Sequence, residues 1–206
     1  MGLTATDTTK KYPPTPEGIH KAVCYAVYDL GTHYDDKWNK YNRKIRIMWE
    51  LPEERIDMDK DGESISMPRG ISREYTLSLH KKSNLRADLE SWRGKSFTKE
   101  ELDGFDLKKL IGVNCMIQVF HNDTGEYANV KTVVPLMKGM ESTEPENPVR
   151  FFSFEDQTEV PEGTVEWVAK IIKESDEYRD AHETQVHSSE AEPPEDGSML
   201  DDKIPF

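Results

Sequence analysis

The pattern of apolar and polar residues predicts a β-strand in each of three stretches in the first half of the chain, two of them by strict alternation. The first, GIHKAVCYAVYDLG from Gly18 to Gly31, is rich in Val and Tyr and ends at a glycine. In the second, RKIRIMWEL, the alternation separates one face with Ile45, Ile47, Trp49 and Leu51 from another with Lys44, Arg46, Met48 and Glu50. The third, ISREYTLSL, continues the alternation from Ile71 to Leu79. We therefore expect half-buried strands, the second of them with a basic outer face.

A helical pattern follows the third strand. Ser83 is suited to the N-cap, apolar residues recur at helical spacing from Leu85 to Trp92, and Gly94 can end the helix in the left-handed conformation. The stretch TKEE at 98–101 matches a capping box and predicts a second, short helix.

Two further strands, VNCMIQVFH and YANVKTVVPL, are joined by Asn122–Gly125, which has the composition of a hairpin turn. The predicted order is three strands, a helical insertion and two strands. This is the order of the oligonucleotide-binding (OB) barrel, a five-stranded, partly open Greek key, although other small barrels share parts of it. We expect a mainly β fold with α insertions.

The rest of the chain divides by composition. Residues 1–16 are polar and proline-rich and predict a flexible N-terminal arm, followed by the OB-type domain at 17–138. At 139–179 the stretch VRFFSF and the amphipathic VEWVAKIIKES predict a strand and a helix that pack back on the barrel, with a dimerisation arm as the alternative. From 180 to 206 apolar periodicity is absent, which predicts a disordered acidic tail.

Charge is distributed unevenly along the chain. The formal net charge is −13, and eight acids and one lysine lie between Asp180 and Phe206, so the tail carries more than half of it. Cys24 and Cys115 lie inside predicted strands and are expected to be reduced core thiols of an intracellular protein. The chain has no apolar run of the roughly 18 to 20 residues that cross a membrane, so we expect no membrane partner.

A basic and aromatic cluster begins just before the second strand. It carries five cations with no acid among them, interleaved with two aromatic residues: Lys37, Trp38, Lys40, Tyr41, Arg43, Lys44 and Arg46. Single-strand binding needs this mixture, because cations follow the phosphates while aromatic rings stack on unpaired bases. The alternative is that Trp38 covers the barrel mouth and the charges form a solvated face.

Four more residues are secondary candidates for DNA contact. Lys81 and Lys82 lie where the third strand leads into the helix, where a solvated helix end is the alternative role. Phe120 and Tyr127, on or beside the late strands, are candidates for base stacking.

Signals for catalysis and for metals are weak. DMDKDGE, from Asp57 to Glu63, matches the opening of a calcium loop, but position twelve is Pro68 instead of a glutamate, so a solvated loop turning at Gly62 is the better interpretation. The six histidines are scattered, and no phosphate-binding glycine loop or nucleophile elbow occurs. We therefore expect no enzymatic activity, no cofactor and no metal.

The last six residues, DDKIPF, closely resemble the C-terminal tip of bacterial single-stranded DNA-binding proteins. That resemblance implies a peptide that docks on replication, recombination and repair proteins through Asp201, Asp202, Ile204, Pro205 and Phe206. Apolar side chains would enter a pocket with a basic rim, while acids add charge-assisted contacts. Lys203 departs from the pattern, which has an acid there.

The body of the chain resembles the single-stranded DNA-binding or replication proteins of tailed bacteriophages. The resemblance covers roughly residues 17–138 and is carried by YDLGTHYDDKWNKYNRKIRIMWEL, LHKKSNLRADLESWRGKSFTKEEL and FDLKKLIGVNCMIQVFHNDTGEYANV. It implies sequence-nonspecific binding and protection of single-stranded DNA during phage replication, recombination or repair, in the cytoplasm of the infected bacterium. Duplex DNA is a second candidate ligand and a homodimer a candidate assembly. The rival functions are an acidic DNA mimic that inhibits a host enzyme, and a nuclease or recombinase accessory.

Overall fold

The computed structural model describes residues 12–37, 39–60 and 62–189 of the chain. Within them, the strands are β1 (Gly18–Asp35), β2 (Lys40–Lys60), β3 (Glu63–Thr76), β4 (Asn114–His121), β5 (Ala128–Pro135) and β6 (Arg150–Phe152). The helices are α1 (Asn84–Arg93), α2 (Lys99–Asp103), a 3-10 helix (Leu107–Leu110), α3 (Glu166–Lys173) and α4 (Asp176–Ser189). The expected mainly β class with helical insertions is confirmed.

One sheet contains all six strands, and β1 is its centre. The order is β3-β2-β1-β4-β5 with antiparallel neighbours. One edge of β1 pairs with β2, while the other pairs with β4 over Gly18–Val23 and then with β6, in parallel, over Ala26–Tyr28. No ladder joins β3 to β5 in the described part of the chain, so the sheet is open and its closure into a barrel is not observed.

Helix α1 bridges the two outer strands of this open sheet. Asp88 of α1 accepts hydrogen bonds of 2.8 Å from Arg73 Nη1 and from the Tyr75 hydroxyl, both on β3. Ser91, one turn further along α1, donates to the carbonyl of Val133 on β5 at 2.7 Å. Arg73 Nη1 also reaches the carbonyl of Lys131 at 3.3 Å. The helix therefore holds β3 and β5 close to each other.

The predicted helix ends are confirmed at both early helices. The Ser83 side chain accepts a hydrogen bond from the backbone N–H of Arg86, and Gly94 ends α1 with a φ of 65°. Thr98 and Glu101 form the reciprocal capping box of α2. The burial pattern follows the predicted spacing in α1, where Leu85, Leu89 and Trp92 are buried.

Two apolar cores lie on opposite faces of the sheet. The inner core contains the predicted face of β2 together with the buried side of α1, and its members include Ile45, Ile47, Trp49 and Leu51. The outer core joins Tyr28, Leu30 and Met48 to Phe152, Val168 and Ile172 of the C-terminal extension. The C-terminal extension thus packs on the outer face of the sheet.

This packing corrects the expected solvated basic face of β2. Met48 and Glu50 are buried instead of exposed. Glu50 has no exposed surface, and its carboxylate accepts hydrogen bonds of 2.8 Å from the backbone N–H groups of Glu146 and Asn147 and of 2.7 Å from Asn147 Nδ2. A buried carboxylate is tolerated because these donors replace water. These hydrogen bonds to Glu50 therefore attach the segment before β6 to the sheet.

Helix α4, at the end of the C-terminal extension, is hydrogen-bonded to β1 next to Gly31. The Glu177 carboxylate of α4 accepts hydrogen bonds from Thr32, 2.6 Å from its N–H and 2.7 Å from its hydroxyl. Gly31 has a φ of 76°, and a Cβ there would lie 2.5 Å from the Cβ of Ser175. Glycine is thus required both by the backbone conformation and by the close approach of α4.

Several boundaries differ from those expected. The stretch expected to be an acidic loop around Asp57–Glu63 is a hairpin, in which β2 and β3 pair up to Lys60 and Glu63, with Gly62 in the turn as predicted. Helix α4 continues to Ser189, so the segment expected to be disordered from residue 180 is helical up to that point.

The described part of the N-terminal arm is attached to the sheet. Thr15 is buried, and the carbonyl of Pro13 accepts a 2.6 Å hydrogen bond from Arg69 Nη1. Residues 12–16 of the arm expected over 1–16 thus contact the sheet, while residues 1–11 lie outside the described part.

Both cysteines are buried and unpaired, as predicted. Burial raises the pKa of each thiol far above its ordinary value, which keeps it protonated and unreactive. Among the described helices, none has the length and apolar character needed to cross a membrane.

Candidate nucleic-acid interface

Two tyrosines form a pair at the end of the β1–β2 hairpin. Tyr34 and Tyr41 are register partners, their ring centroids are 5.1 Å apart, and their side chains are 48% and 63% exposed. The Tyr34 hydroxyl donates a hydrogen bond to Asn39, which holds the left-handed conformation in the turn with a φ of 48°. The turn thus presents two aromatic rings to solvent.

Two lysines flank this pair. Lys37 lies in the turn, where its N–H donates to Asp35 Oδ1 at 3.1 Å. Lys40 begins β2 and is exposed, and no described acid lies within ion-pair distance of it. Trp38, predicted from the sequence to stack on bases, falls outside the described residues.

Arg43, Lys44 and Arg46 of the predicted cluster are ion-paired. Arg43 binds Asp29 of β1, with Nη2 2.5 Å from Oδ2, and this hydrogen bond raises the pKa of the guanidinium. Lys44 Nζ and Arg46 Nη2 lie 3.1 Å and 2.6 Å from the carboxylate oxygens of Glu74 on β3. Burial lowers the pKa of Arg46, although Glu74 opposes that effect.

Arg46 is also engaged by the C-terminal extension. Its guanidinium lies 4.7 Å from the ring centroid of Trp167 on α3, a cation–π contact that occupies one face of each group. Arg43, Lys44 and Arg46 therefore contribute to the internal structure of the sheet, and the five-charge cluster in the sequence corresponds to a smaller basic surface.

The loop before α1 lies at the same end of the sheet as the hairpin. The N–H of Leu77 donates to the carbonyl of Arg43 at 2.8 Å, which places the start of this loop beside the start of β2. Lys81 and Lys82 are exposed in the loop. We name Lys37, Lys40, Lys81 and Lys82, together with Tyr34 and Tyr41, the hairpin-end surface.

Phe120 and Tyr127 lie at the opposite end of β1. Strand β4 runs antiparallel to β1 with Val119 opposite Gly18, so Phe120 lies beyond the first residue of β1. Tyr127 is 67% exposed and lines a cleft with Tyr12, Pro13 and Pro14. The structure therefore does not bring these two aromatic residues together with the hairpin-end surface.

Sequence reasoning missed Tyr34 and a cavity next to the hairpin end. Tyr34 was missed because the first strand was expected to stop at Gly31, whereas β1 continues to Asp35. Extending the strand past the glycine would have included Tyr34 in it, but the pairing of Tyr34 with Tyr41 depends on the hairpin register. The cavity joins β1 and β2 to segments near residues 105 and 152, and no local sequence signal relates these segments.

The predicted partner-binding residues Asp201, Asp202, Ile204, Pro205 and Phe206 lie outside the described part of the chain. In the described part, no three His, Cys, Asp or Glu side chains are grouped so that they could hold a metal ion. Comparison with protein-family models, curated proteins and solved structures finds no match to this chain. Function is therefore argued from the geometry of the hairpin-end surface.

Proposed function

We propose that this protein binds single-stranded DNA without strict sequence specificity through the hairpin-end surface. The observation that carries the proposal is the exposed Tyr34–Tyr41 pair, which lies on the same end of the sheet as four lysines. Exposed aromatic rings stack on unpaired bases of any sequence, and lysines beside them neutralise the phosphates.

The connectivity supports an OB-type arrangement. Strand β1 pairs with both β2 and β4, β3 and β5 form the two outer strands, and α1 between β3 and β4 bridges them. In OB-type domains the loop between the first two strands is a principal nucleic-acid contact. The β1–β2 turn of this chain, with Lys37 and the paired tyrosines beside it, corresponds to that loop.

The acidic segment after Ser189 supplies the second part of the proposal. Its sequence ends with Asp201, Asp202, Lys203, Ile204, Pro205 and Phe206, which suits docking on a basic-rimmed apolar pocket of a replication, recombination or repair protein. The same acids can compete with DNA for the lysines of the hairpin-end surface. DNA binding would then release the tip for partners, in the bacterial cytoplasm during phage replication.

Titration of a fluorescently labelled oligo-dT tests both parts of this proposal. Anisotropy is measured for the full chain and for a chain that ends at Ser189, at two salt concentrations. Salt-sensitive binding that tightens without the acidic segment supports the proposal. Binding that weakens without that segment contradicts the competition, and no binding by either chain contradicts single-strand binding itself.

An acidic DNA mimic is the second candidate function. The observation that favours it is the neutralisation of Arg43, Lys44 and Arg46 by Asp29 and Glu74, which leaves fewer cations for phosphates in a chain of net charge −13. A mimic would bind a basic nucleic-acid enzyme and compete with its DNA, while binding no oligonucleotide itself.

A further inference from the structure

A cavity of about 180 Å³ opens beside the hairpin-end surface. Seven of its twelve lining residues are apolar, and three of these are phenylalanines, Phe105, Phe151 and Phe152. The other lining residues are the aliphatic Val27, Ile45, Leu77 and Leu107 and the polar Asp29, Arg43, Asp106, Ser153 and Glu155. Because drug-sized ligands fill pockets of about 300–1,000 Å³, this cavity suits a smaller group such as one flat ring.

The position of the cavity relates it to the proposed DNA path. Leu77 and Arg43, which both line it, are joined by the hydrogen bond that brings the Lys81–Lys82 loop to the start of β2. Leu77 is 38% exposed, so the lining reaches the surface beside that loop. The Lys108 ammonium lies 5.7 Å from the ring centroid of Phe151 and adds a cation next to the opening.

Two charged residues that line the cavity, Asp29 and Arg43, are already paired with each other. The Asp29 carboxylate accepts hydrogen bonds from Arg43, from the N–H of Gly31 at 3.0 Å and from the N–H of Phe154 at 3.4 Å. Asp29 and Arg43 therefore neutralise each other within the frame of the site. The ligand that the cavity favours therefore depends on the other two acids that line it, Asp106 and Glu155.

Glu155 and Asp106 supply hydrogen-bond acceptors at the cavity. Both residues are exposed. One Asp106 oxygen accepts the N–H of Lys108 at 2.8 Å, while no described residue donates a hydrogen bond to the Glu155 carboxylate. Two carboxylates beside an internally paired arginine repel a phosphate, but they accept hydrogen bonds from a neutral group with N–H donors.

We propose that this cavity receives one unpaired nucleobase that carries an exocyclic amino group, with cytosine preferred to thymine. The ring would lie among the apolar side chains near Phe105 and Phe151, and the N4 amino group would donate to Glu155 or Asp106. Cytosine and thymine have similar ring size, but thymine presents the O4 acceptor where cytosine presents the amino donor. This inference rests on the proposed binding of single-stranded DNA and adds a base preference to it.

Binding of oligo-dC and oligo-dT of equal length tests the inference, because their affinity ratio cancels the phosphate term. We expect the full chain to bind oligo-dC about fivefold more tightly or better. Glu155→Ala should reduce that ratio towards one. Asp156→Asn removes an equal charge from an exposed neighbour that does not line the cavity, and it should change both affinities while keeping their ratio.

A second variant fills the cavity instead of changing its charge. Leu77→Trp places a large ring at the exposed lip, and it should abolish the preference for oligo-dC while oligo-dT still binds. Circular dichroism checks whether the variant folds. Equal affinities of the unmodified chain for both oligonucleotides, or a ratio unchanged by Glu155→Ala and Leu77→Trp, would overturn the cavity inference alone. Binding of neither oligonucleotide would overturn the proposed function, and the inference with it.

Discussion

Tyr34 and Tyr41 face each other across the end of the β1–β2 hairpin, with ring planes tilted by 59°. Each ring therefore covers only part of the other, and Tyr41 keeps the larger exposed fraction. The Tyr34 ring is held by its hydrogen bond to Asn39 and by its contact with Tyr41, so a base that stacks on the pair meets rings that already contact each other. Under the proposed function, the pair would serve as a preformed platform for base stacking.

Replacement of Tyr41 tests this platform. Loss of one stacked base costs about 1–3 kcal/mol, so Tyr41→Ala should weaken oligo-dT binding at least fivefold. Tyr41→Phe keeps the ring and should bind nearly as well as the unmodified protein. Fluorescence anisotropy at constant salt measures all three affinities.

Tyr127→Ala is the matched control, because it removes an equally exposed tyrosine from the opposite end of β1. It should leave the affinity for a short oligonucleotide unchanged. If Tyr127→Ala reduces the affinity more than Tyr41→Ala does, DNA binds away from the hairpin end.

Salt dependence measures how many lysines reach phosphates. Each phosphate contact of a single strand contributes about 0.7 to the slope of log affinity against log salt, so three to four contacts predict a slope of about −2 to −3. The double change Lys81→Gln and Lys82→Gln should reduce its magnitude by about 1.4. Anisotropy titrations over a series of salt concentrations give the slope directly.

The control for this experiment removes two lysines on and after β5, by Lys131→Gln and Lys138→Gln. This double variant has the same net charge as the first. It should keep the slope of the unmodified protein. Equal effects of the two double variants would indicate a response to total charge instead of a local phosphate site.

The observed basic surface is smaller than the expected one, because the sequence pattern of one strand does not contain its contacts with neighbouring strands. Alternation correctly predicted the inner face of β2, because burial of Ile45, Ile47 and Trp49 is a local, period-two property. It did not reveal that Asp29 and Glu74 neutralise Arg43, Lys44 and Arg46, because those acids come from neighbouring strands. Cross-strand pairing depends on register, which single-strand patterns do not contain.

The helix caps could be predicted from the sequence, whereas burial on the outer face of β2 could not. The caps Ser83 and Thr98 were predictable because capping is decided within four residues. Burial of Glu50 was not, because its donors lie at Glu146 and Asn147, almost a hundred residues away.

The Glu50 carboxylate is expected to be a major anchor of the C-terminal extension. Glu50→Gln replaces one acceptor oxygen by an amino group that faces backbone N–H donors, so at least one buried hydrogen bond is lost. Hydrogen bonds to a charged group contribute about 1.5–3 kcal/mol, and we expect the free energy of unfolding to fall by about 2–4 kcal/mol. Urea denaturation measures this change.

Hydrogen exchange distinguishes a local from a global effect of Glu50→Gln. The amides of Glu146 and Asn147 should lose protection by a larger factor than those of β4, because they lose their acceptor. A uniform loss of protection, or none, would contradict an anchoring role for this carboxylate.

The Glu177 carboxylate predicts how stability depends on pH. Burial opposes its ionisation, but the hydrogen bonds from the hydroxyl and the N–H of Thr32, together with a backbone hydrogen bond of Glu177 itself and the charge of Arg43, hold its pKa below the ordinary value. A lowered pKa in the folded state means that the folded protein favours the ionised form. The contribution to stability is therefore complete above the unfolded pKa of about 4.3, and it is lost as the pH falls through the folded pKa.

Glu177→Gln should lower the free energy of unfolding by about 1–2 kcal/mol at pH 7, and by progressively less below about pH 4. Urea denaturation at pH 7, 5 and 3.5 measures the difference from the unmodified protein. Glu183→Gln removes an exposed carboxylate from the same helix and should change stability by less than about 0.5 kcal/mol at each pH. A Glu177→Gln effect that stays constant from pH 7 to 3.5 would show that packing of α4, and not the ionised carboxylate on Thr32, holds the extension to β1.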